Sequence, residues 1–222
     1  MTARERTIVV GCVLGDGFLQ ATGKRNARLR LEHSATQKEY LFWKWQELKR
    51  YMQDRPKRLE RFHPVWRKRY SYYRCQSHSS PQFGKLRAVF YRDHGKGIPK
   101  EIKKLLATPL ALAVWYMDDG YYYVRDRTAY LYLSHLNLTD VQRLKDVLAS
   151  AFDLYPKLER KKTGALDFKF SAAETRKLME IVAPHVIKSM RYKLMKNPVS
   201  TESYGRGGAE RNKITRHNTP YS

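Results

Sequence analysis

The chain has 222 residues, 42% of them hydrophobic, enough to bury a core in one domain or two small ones and too many for a wholly disordered chain. Its 44 lysines and arginines stand against 21 aspartates and glutamates, a formal net charge of +23 that exceeds what solubility needs and points to a polyanionic partner. No stretch approaches the 18 or so apolar residues of a membrane span, so no membrane partner is expected, and the charge by itself does not separate an enzyme from a structural RNA-binding protein.

The first residues lack an apolar leader core and run straight into a helix, so the protein is expected to act in the compartment where it is made, a bacterial cytoplasm or organelle matrix, and not to be secreted. That helix ends Val9-Val10-Gly11-Cys12-Val13-Leu14-Gly15-Asp16-Gly17, an apolar run closed by an acid and a glycine. Ala27 to His33 then alternates, with Ala27, Leu29, Leu31 and His33 on one face and Arg28, Arg30 and Glu32 on the other, which predicts a strand. Residues 37–52 read as an amphipathic helix whose apolar surface is Tyr40, Leu41, Trp43, Trp45 and Leu48. Two basic, aromatic strands follow near 57–62 and 67–76, and Pro81 opens a helix to about Tyr91. Residues 93–104, with Gly95, Gly97 and Pro99, form a connector.

The plan then repeats. Thr108-Pro109 supplies an N-cap and first helical residue for a second apolar run, Leu112-Ala113-Val114-Trp115-Tyr116-Met117-Asp118-Asp119-Gly120. Residues 128–135 alternate, with Ala129, Leu131 and Leu133 opposite Tyr130, Tyr132 and Ser134. Thr139 is expected to cap a helix to about Phe152, strands are expected near 157–161 and 165–170, and Ser171 caps a helix ending near Pro184. Each half therefore reads α-β-β-α-β-β-α, an α+β fold with pseudo-two-fold duplication, and the motif acids stand about a hundred residues apart. The boundaries implied are 1–105 for the first half with its connector, 106–198 for the second, and 199–222 for a basic tail. That tail, with Arg206, Arg211, Lys213 and Arg216, is too polar to bury itself and is expected to be flexible or ordered only against a partner.

Two apolar helices that each deliver a carboxylate suggest facing half-sites that hold divalent metal, and in so basic a chain the substrate expected is nucleic acid. Close approach of two helices needs small residues, and Gly11 and Gly15 lie four apart on one face. Cys12 and Cys75 read as reduced residues of the interior, and the seven histidines show no ligand spacing, so a zinc site is not expected. Polar strand positions that could read bases in a major groove are Arg28, Arg30, Glu32, Arg74, Gln76, Tyr130, Tyr132, Asp167 and Lys169; a solvated sheet face is the plainer alternative. Phosphate contacts are expected from Lys24, Arg25, Arg67, Lys68, Lys161 and Lys162.

The chain resembles the LAGLIDADG homing endonucleases, and in particular their single-chain, two-motif branch, over residues 8–195. Four segments carry the resemblance: Val13-Leu-Gly-Asp-Gly17, Thr108 through Gly120, Lys96-Gly-Ile-Pro99 and Met190-Arg-Tyr-Lys-Leu194. It implies two curved antiparallel sheets forming a saddle on double-stranded DNA, with the motif helices at the central seam. It makes Asp16 and Asp119 the catalytic acids and metal ligands, and adds the backbone carbonyls of Gly15 and Asp118. The Asp118 side chain stands where the first motif has a glycine and is expected behind the metal. Lys96 and Lys193 match paired lysines beside the metal centres. Gln37 and Lys38 match water-organising positions, with a solvated helix start as the alternative. Val114, where the family has glycine, leaves the helix packing angle open. The implied cofactor is Mg²⁺, with Mn²⁺ as a substitute and Ca²⁺ supporting binding without cleavage. The implied activity is a double-strand break with short 3′ overhangs at a long site, made by a monomer, promoting mobility of a host intron or intein. The rival readings are an RNA maturase or non-cleaving binder of the same fold, with intron RNA as partner, and a basic structural RNA-binding protein.

Overall fold

The computed structural model describes residues 1–64, 67–92, 95–133 and 136–195. The expected tail, His94 and His135 lie outside them.

Helix α1 (Ala3–Leu14) starts on a capping box: the Thr2 hydroxyl accepts from the Glu5 amide while the Glu5 carboxylate accepts from the Thr2 amide. Every residue from Ile8 to Leu14 is buried, because one side of α1 meets its own sheet and the other meets a second helix. The first sheet is built from β1 (Phe18–Ala21), β2 (Ala27–Ser34), β3 (Lys57–His63) and β4 (Lys68–Gln76) in the order β1-β2-β4-β3, antiparallel throughout. Strand β2 alternates strictly between buried and half-buried residues, as its sequence requires. Helices α2 (Lys38–Glu47) and α3 (Pro81–Phe90) pack on this sheet, and Ser80 caps α3 by accepting from the Phe83 amide.

The connector holds a small hairpin, β5 (Tyr91–Arg92) with β6 (Gly95–Lys96), and a single-turn helix α4 (Ile102–Leu105). Helix α5 (Pro109–Asp119) follows, its first turn capped by the Thr108 hydroxyl. The second half then lays out β7 (Gly120–Tyr123), β8 (Thr128–Tyr132), α6 (Leu138–Phe152), β9 (Lys157–Arg160), β10 (Leu166–Phe170) and α7 (Ala172–Val182). Its sheet runs β7-β8-β10-β9, the order of the first sheet, so the duplication expected from the sequence is present as two equivalent four-stranded antiparallel sheets. A short 3-10 segment, Lys188–Lys193, brings the chain back to the seam. Among the described residues no helix is long and apolar enough to cross a membrane.

Two local expectations change. Helix α6 is capped by Asn137, whose side chain accepts from the Asp140 amide; Thr139 lies inside the first turn. The amphipathic helix expected over 37–52 is the shorter α2 flanked by 3-10 turns, and its buried residues are Tyr40, Leu41 and Lys44, with Trp43 and Trp45 only partly covered.

The two halves meet where α1 packs on α5. A Cβ placed on Gly11 would fall 2.6 Å from the Cβ of Val114 and 2.8 Å from the Ala111 carbonyl oxygen, so Gly11 leaves the space that Val114 fills. The valine that stands in place of a glycine on α5 is thus accommodated by a glycine on α1.

Candidate active site at the helix seam

Both motif acids sit where the helices end. Helix α1 stops at Leu14, Gly15 caps it through a bond from its amide to the Gly11 carbonyl, and Asp16 is the first residue beyond. Helix α5 continues through Asp118 and Asp119 before Gly120 turns the chain into β7. Asp16 is partly exposed, while Asp119 is 8% exposed and Asp118 is 5% exposed. The Asp16 backbone N–H donates to Asp118 Oδ2 at 3.1 Å, so the two motif ends are tied directly to each other.

The paired lysines reach corresponding atoms from opposite directions. Lys96, in the connector hairpin, donates to the Gly15 carbonyl at 2.7 Å. Lys193, in the returning 3-10 segment, donates to the carbonyls of Met117 at 2.5 Å and Asp118 at 3.0 Å. Gly15 and Asp118 are the residues immediately before Asp16 and Asp119, so each half places one ammonium on the carbonyl preceding its acid. The Tyr116 hydroxyl donates to the Lys193 carbonyl at 2.9 Å and anchors that segment, and burial raises the Tyr116 hydroxyl far above the ordinary tyrosine range. Gln37 donates from Nε2 to the Tyr192 hydroxyl at 2.9 Å, one residue from Lys193, while Lys38 is exposed.

Sequence reasoning missed two further groups. Lys44 and His33 lie under the seam: Lys44 Nζ is 2.6 Å from Asp118 Oδ1 and 2.9 Å from His33 Nε2, and the side chains of Lys44 and Asp118 are wholly excluded from solvent. His33 Nδ1 faces Asp16 Oδ2 at 3.8 Å. One ligand atom from each of Asp16, His33 and Asp118 lies within 4.8 Å of the others. Burial on its own would discharge Lys44, but the Asp118 carboxylate outweighs it and leaves the ammonium pKa raised. Burial likewise opposes the Asp118 charge, and Lys44, with the Asp16 amide, reverses that, holding its carboxyl below the ordinary range. His33 is pushed down to about 4, by burial first and by Lys44 second, so it is neutral at physiological pH. Burial also pushes the Cys12 thiol up to about 12, in keeping with a free, unreactive cysteine. The signal for Lys44 was its spacing, since it falls on the same stripe as Tyr40, Leu41 and Leu48.

The outer faces of the two sheets differ in chemistry. On the first, the register sets Gln76 beside Arg30 and Arg74 beside Glu32. Glu32 gathers Arg30 and Arg74 at 2.8 Å and Arg61 at 3.5 Å, while Gln76 donates to Gln53 and the Arg28 Nε atom is buried without a partner. On the second, Tyr121 stacks on Tyr130 with ring centroids 4.8 Å apart, and Lys169 and Lys161 lie over Tyr130 and Tyr132. Asp167 projects onto this face, as the alternating pattern suggests, but is covered there: it is buried beneath Lys161 Nζ at 2.7 Å and accepts from the Tyr121 hydroxyl. Lys24, Arg25, Arg67, Lys68, Lys161 and Lys162 are all exposed.

The sequence profile of the LAGLIDADG DNA endonuclease family matches residues 6–178, a span that holds both motif acids and both sheets. The chain belongs to that family. Protein RecA of Mycolicibacterium flavescens is 32% identical over 208 residues, covering 85% of this chain and 45% of that protein. This family member therefore spans about half the length of the RecA proteins it matches. A probable intron-encoded endonuclease 1 of Wickerhamomyces canadensis is 25% identical over 199 residues, covering 87% of this chain and 84% of that one. Among solved structures, the homing endonuclease I-WcaI bound to its DNA recognition sequence has the same fold, with a TM-score of 0.81 at 22% identity and 88% of each chain covered.

Proposed function

We propose that the protein is a site-specific DNA endonuclease that makes a divalent-metal-dependent double-strand break and so promotes mobility of the intron or intein that encodes it. The observation that carries this reading is the matched pair of helix ends: Lys96 on the Gly15 carbonyl beside Asp16, and Lys193 on the Asp118 carbonyl beside Asp119. A non-cleaving binder has no physical need for two acid–lysine pairs at one seam. The match within a minor part of longer RecA proteins supports an element carried inside a host gene.

The donor set suits a hard cation. Carboxylate oxygens of Asp16 and Asp119, with the second lone pairs of the Gly15 and Asp118 carbonyls, are the ligands Mg²⁺ favours, and Mn²⁺ accepts the same set. A divalent ion bound there would neutralise phosphate charge, acidify a water and stabilise the departing oxygen. Asp16 and Asp119 would orient the ion. Lys96 and Lys193 hold positive charge next to the incoming phosphate, where they offset the charge that builds during the reaction. Gln37, held near Lys193 by Tyr192, and exposed Lys38 are positioned to order solvent at the seam. The basic outer face of β1–β4 and the tyrosine-rich face of β7–β10 would each lie on one half of a duplex site. Arg28, Arg30, Arg74 and Gln76 act as readers on the first and Tyr130, Tyr132 and Lys169 on the second. Glu32 and the buried Asp167 hold those readers in place. Lys24, Arg25, Arg67, Lys68, Lys161 and Lys162 take phosphates.

The half-domain division at 105/106 follows from the repeat, and a single chain carrying both halves supports action as a monomer inside the cell. Incubation with a randomised duplex library and Mg²⁺, followed by sequencing of the ends, tests the reading. One long site cut on both strands with short 3′ overhangs is expected, with Mn²⁺ replacing Mg²⁺ and Ca²⁺ supporting binding alone. Tight DNA or RNA binding without any cut under all three ions would sink it in favour of a maturase or binding protein.

A further inference from the structure

We propose that Asp140 and Arg143, on α6 of the second half, are positioning residues for Lys96, the lysine at the first half's helix end; this rests on the endonuclease reading above. A lysine side chain is a flexible four-carbon stem, so its ammonium stays on one carbonyl only if the backbone beneath it is held. The hairpin that carries Lys96 is too small to do this, since β5 and β6 pair through two residues each and isolated hairpins are marginal. Its place must be fixed from outside.

Two elements fix it. From the first half, the Phe90 carbonyl accepts the Gly97 amide at 2.8 Å. From the second half, a single ion pair takes both backbone groups of Ile98. Asp140 Oδ2 accepts the Ile98 amide at 3.1 Å, and Arg143 Nη1 donates to the Ile98 carbonyl at 2.9 Å. Arg143 also donates to Asp140 Oδ1 at 2.5 Å, one turn along α6, so the two gripping side chains hold each other. Asp140 and Ile98 are buried, which strengthens these bonds. Asn137, the cap of α6, accepts the Asp140 amide and donates from its own amide nitrogen to Oδ2, fixing the carboxylate in turn. Gly97 permits the close approach: a Cβ there would fall 2.9 Å from Asp140 Oδ2.

The grip lies two residues from Lys96, whose Nζ is 2.7 Å from the Gly15 carbonyl. Contacts thus run from α6 of the second half, through Ile98 and Lys96, to the end of α1 in the first. An equivalent tie crosses in the other direction. Tyr40 matches Asp140 in the spacing of buried residues along α2 and α6, and its hydroxyl donates to the Val114 carbonyl at 3.1 Å. Each of these helices therefore binds backbone of the opposite half from the same position. The ammonium beside Asp16 is held correctly only when the second half is docked, which ties cutting at that helix end to assembly of the seam.

A mutant cycle on single-turnover cleavage of the target recovered from the library tests this. Asp140→Ala should slow cutting by about tenfold to a hundredfold, the effect of misplacing a reacting group by an ångström or so, with the DNA dissociation constant within about threefold. In a Lys96→Met background the same change should cost less than about threefold, because the group it positions is already gone. Asp140→Asn, which keeps an oxygen for the Ile98 amide, should retain more of the rate than Asp140→Ala. Fully additive losses overturn the inference, since they would make Asp140 a general stabiliser. No cutting by the unaltered protein would instead refute the endonuclease reading, and a second measurement that needs no DNA or metal then decides the inference. In the full chain, acylation of lysines by an amine-reactive ester is followed by peptide mass spectrometry. Asp140→Ala should raise labelling of Lys96 at least threefold relative to Lys193. Asp140→Asn combined with Arg143→Met, which strands no buried charge, should shift the same ratio in the same direction if the alanine variant does not fold. An unchanged ratio, or an equal rise at both lysines, overturns the inference.

Discussion

Gly15 and Asp118 face each other across the seam at a separation only a glycine permits: a Cβ on Gly15 would fall 2.4 Å from the Asp118 Cβ and 2.5 Å from its Oδ2. That closeness lets Asp118 reach past the end of α1 to the Asp16 amide, and it sets how near the two motif acids come. Gly15→Ala must push α5 away or distort the turn that presents Asp16. A loss of about 1–3 kcal/mol is expected, read as a lower urea midpoint, as for other overpacked interiors. Gly23→Ala, where a Cβ meets nothing within 4 Å, is the control and should stay within about 0.5 kcal/mol. Equal midpoints for the two variants would mean that the seam gives way freely.

Removing one member of the buried ion pair should be costly. Lys44→Met leaves the Asp118 carboxylate in a dry interior with its main counter-charge gone, a situation worth about 3–5 kcal/mol. Adding Asp118→Asn to that variant removes the stranded charge and should recover part of the loss. If the double variant is no more stable than Lys44→Met, the penalty comes from packing and not from charge.

Cleavage should depend on both motif acids, while DNA binding should not. Asp16→Asn and Asp119→Asn are each expected to abolish double-strand cleavage and leave the dissociation constant within about tenfold, because the amide keeps the shape and removes the charge that holds metal. Full double-strand cutting by either variant would remove that acid from the mechanism.

The positive charge should be spent on phosphate. With about ten phosphates neutralised, the logarithm of the binding constant should fall against the logarithm of salt concentration with a slope near −9. A nearly flat plot would show that the exposed lysines and arginines are not engaged.

Acid should weaken the join between α1 and the turn after α2. Burial would raise the Glu5 carboxyl, but the Thr2 amide and Arg50 overcome this and hold it at about 2, below its ordinary 4.5. Because the folded value is the lower one, the stabilisation is complete above about 4.5 and is lost as pH falls toward 2. Denaturant midpoints of the parent should therefore drop more steeply across that window than those of Glu5→Gln. Parallel curves would mean that Glu5 is ionised equally in the folded and unfolded chain.

The repeat, most of the strands and the helix starts were legible because they depend on near neighbours. Alternation along Ala27–Ser34 marks a half-buried strand whatever it packs against, and Ser80-Pro81 and Thr108-Pro109 cap their own helices. The misplaced cap of α6 is a local competition between Asn137 and Thr139, two good capping residues two positions apart. The Tyr121–Lys161–Asp167 cluster was not legible, since a strand aspartate reads as exposed until a lysine from the preceding turn is known to cover it.

From residue order alone came the fold class, the two motifs with their acids, and a polyanionic partner. These follow from period, spacing and charge, which need no knowledge of distant contacts; Lys96 and Lys193 were reached only through the resemblance to a known family. Only tertiary structure decided that Lys44 and His33 belong beneath Asp118 and Asp16. A lysine within an apolar stripe looks like an interruption of the core until packing brings a carboxylate from the opposite half within 2.6 Å. Burial then makes the pair obligatory, because neither charge has water to fall back on.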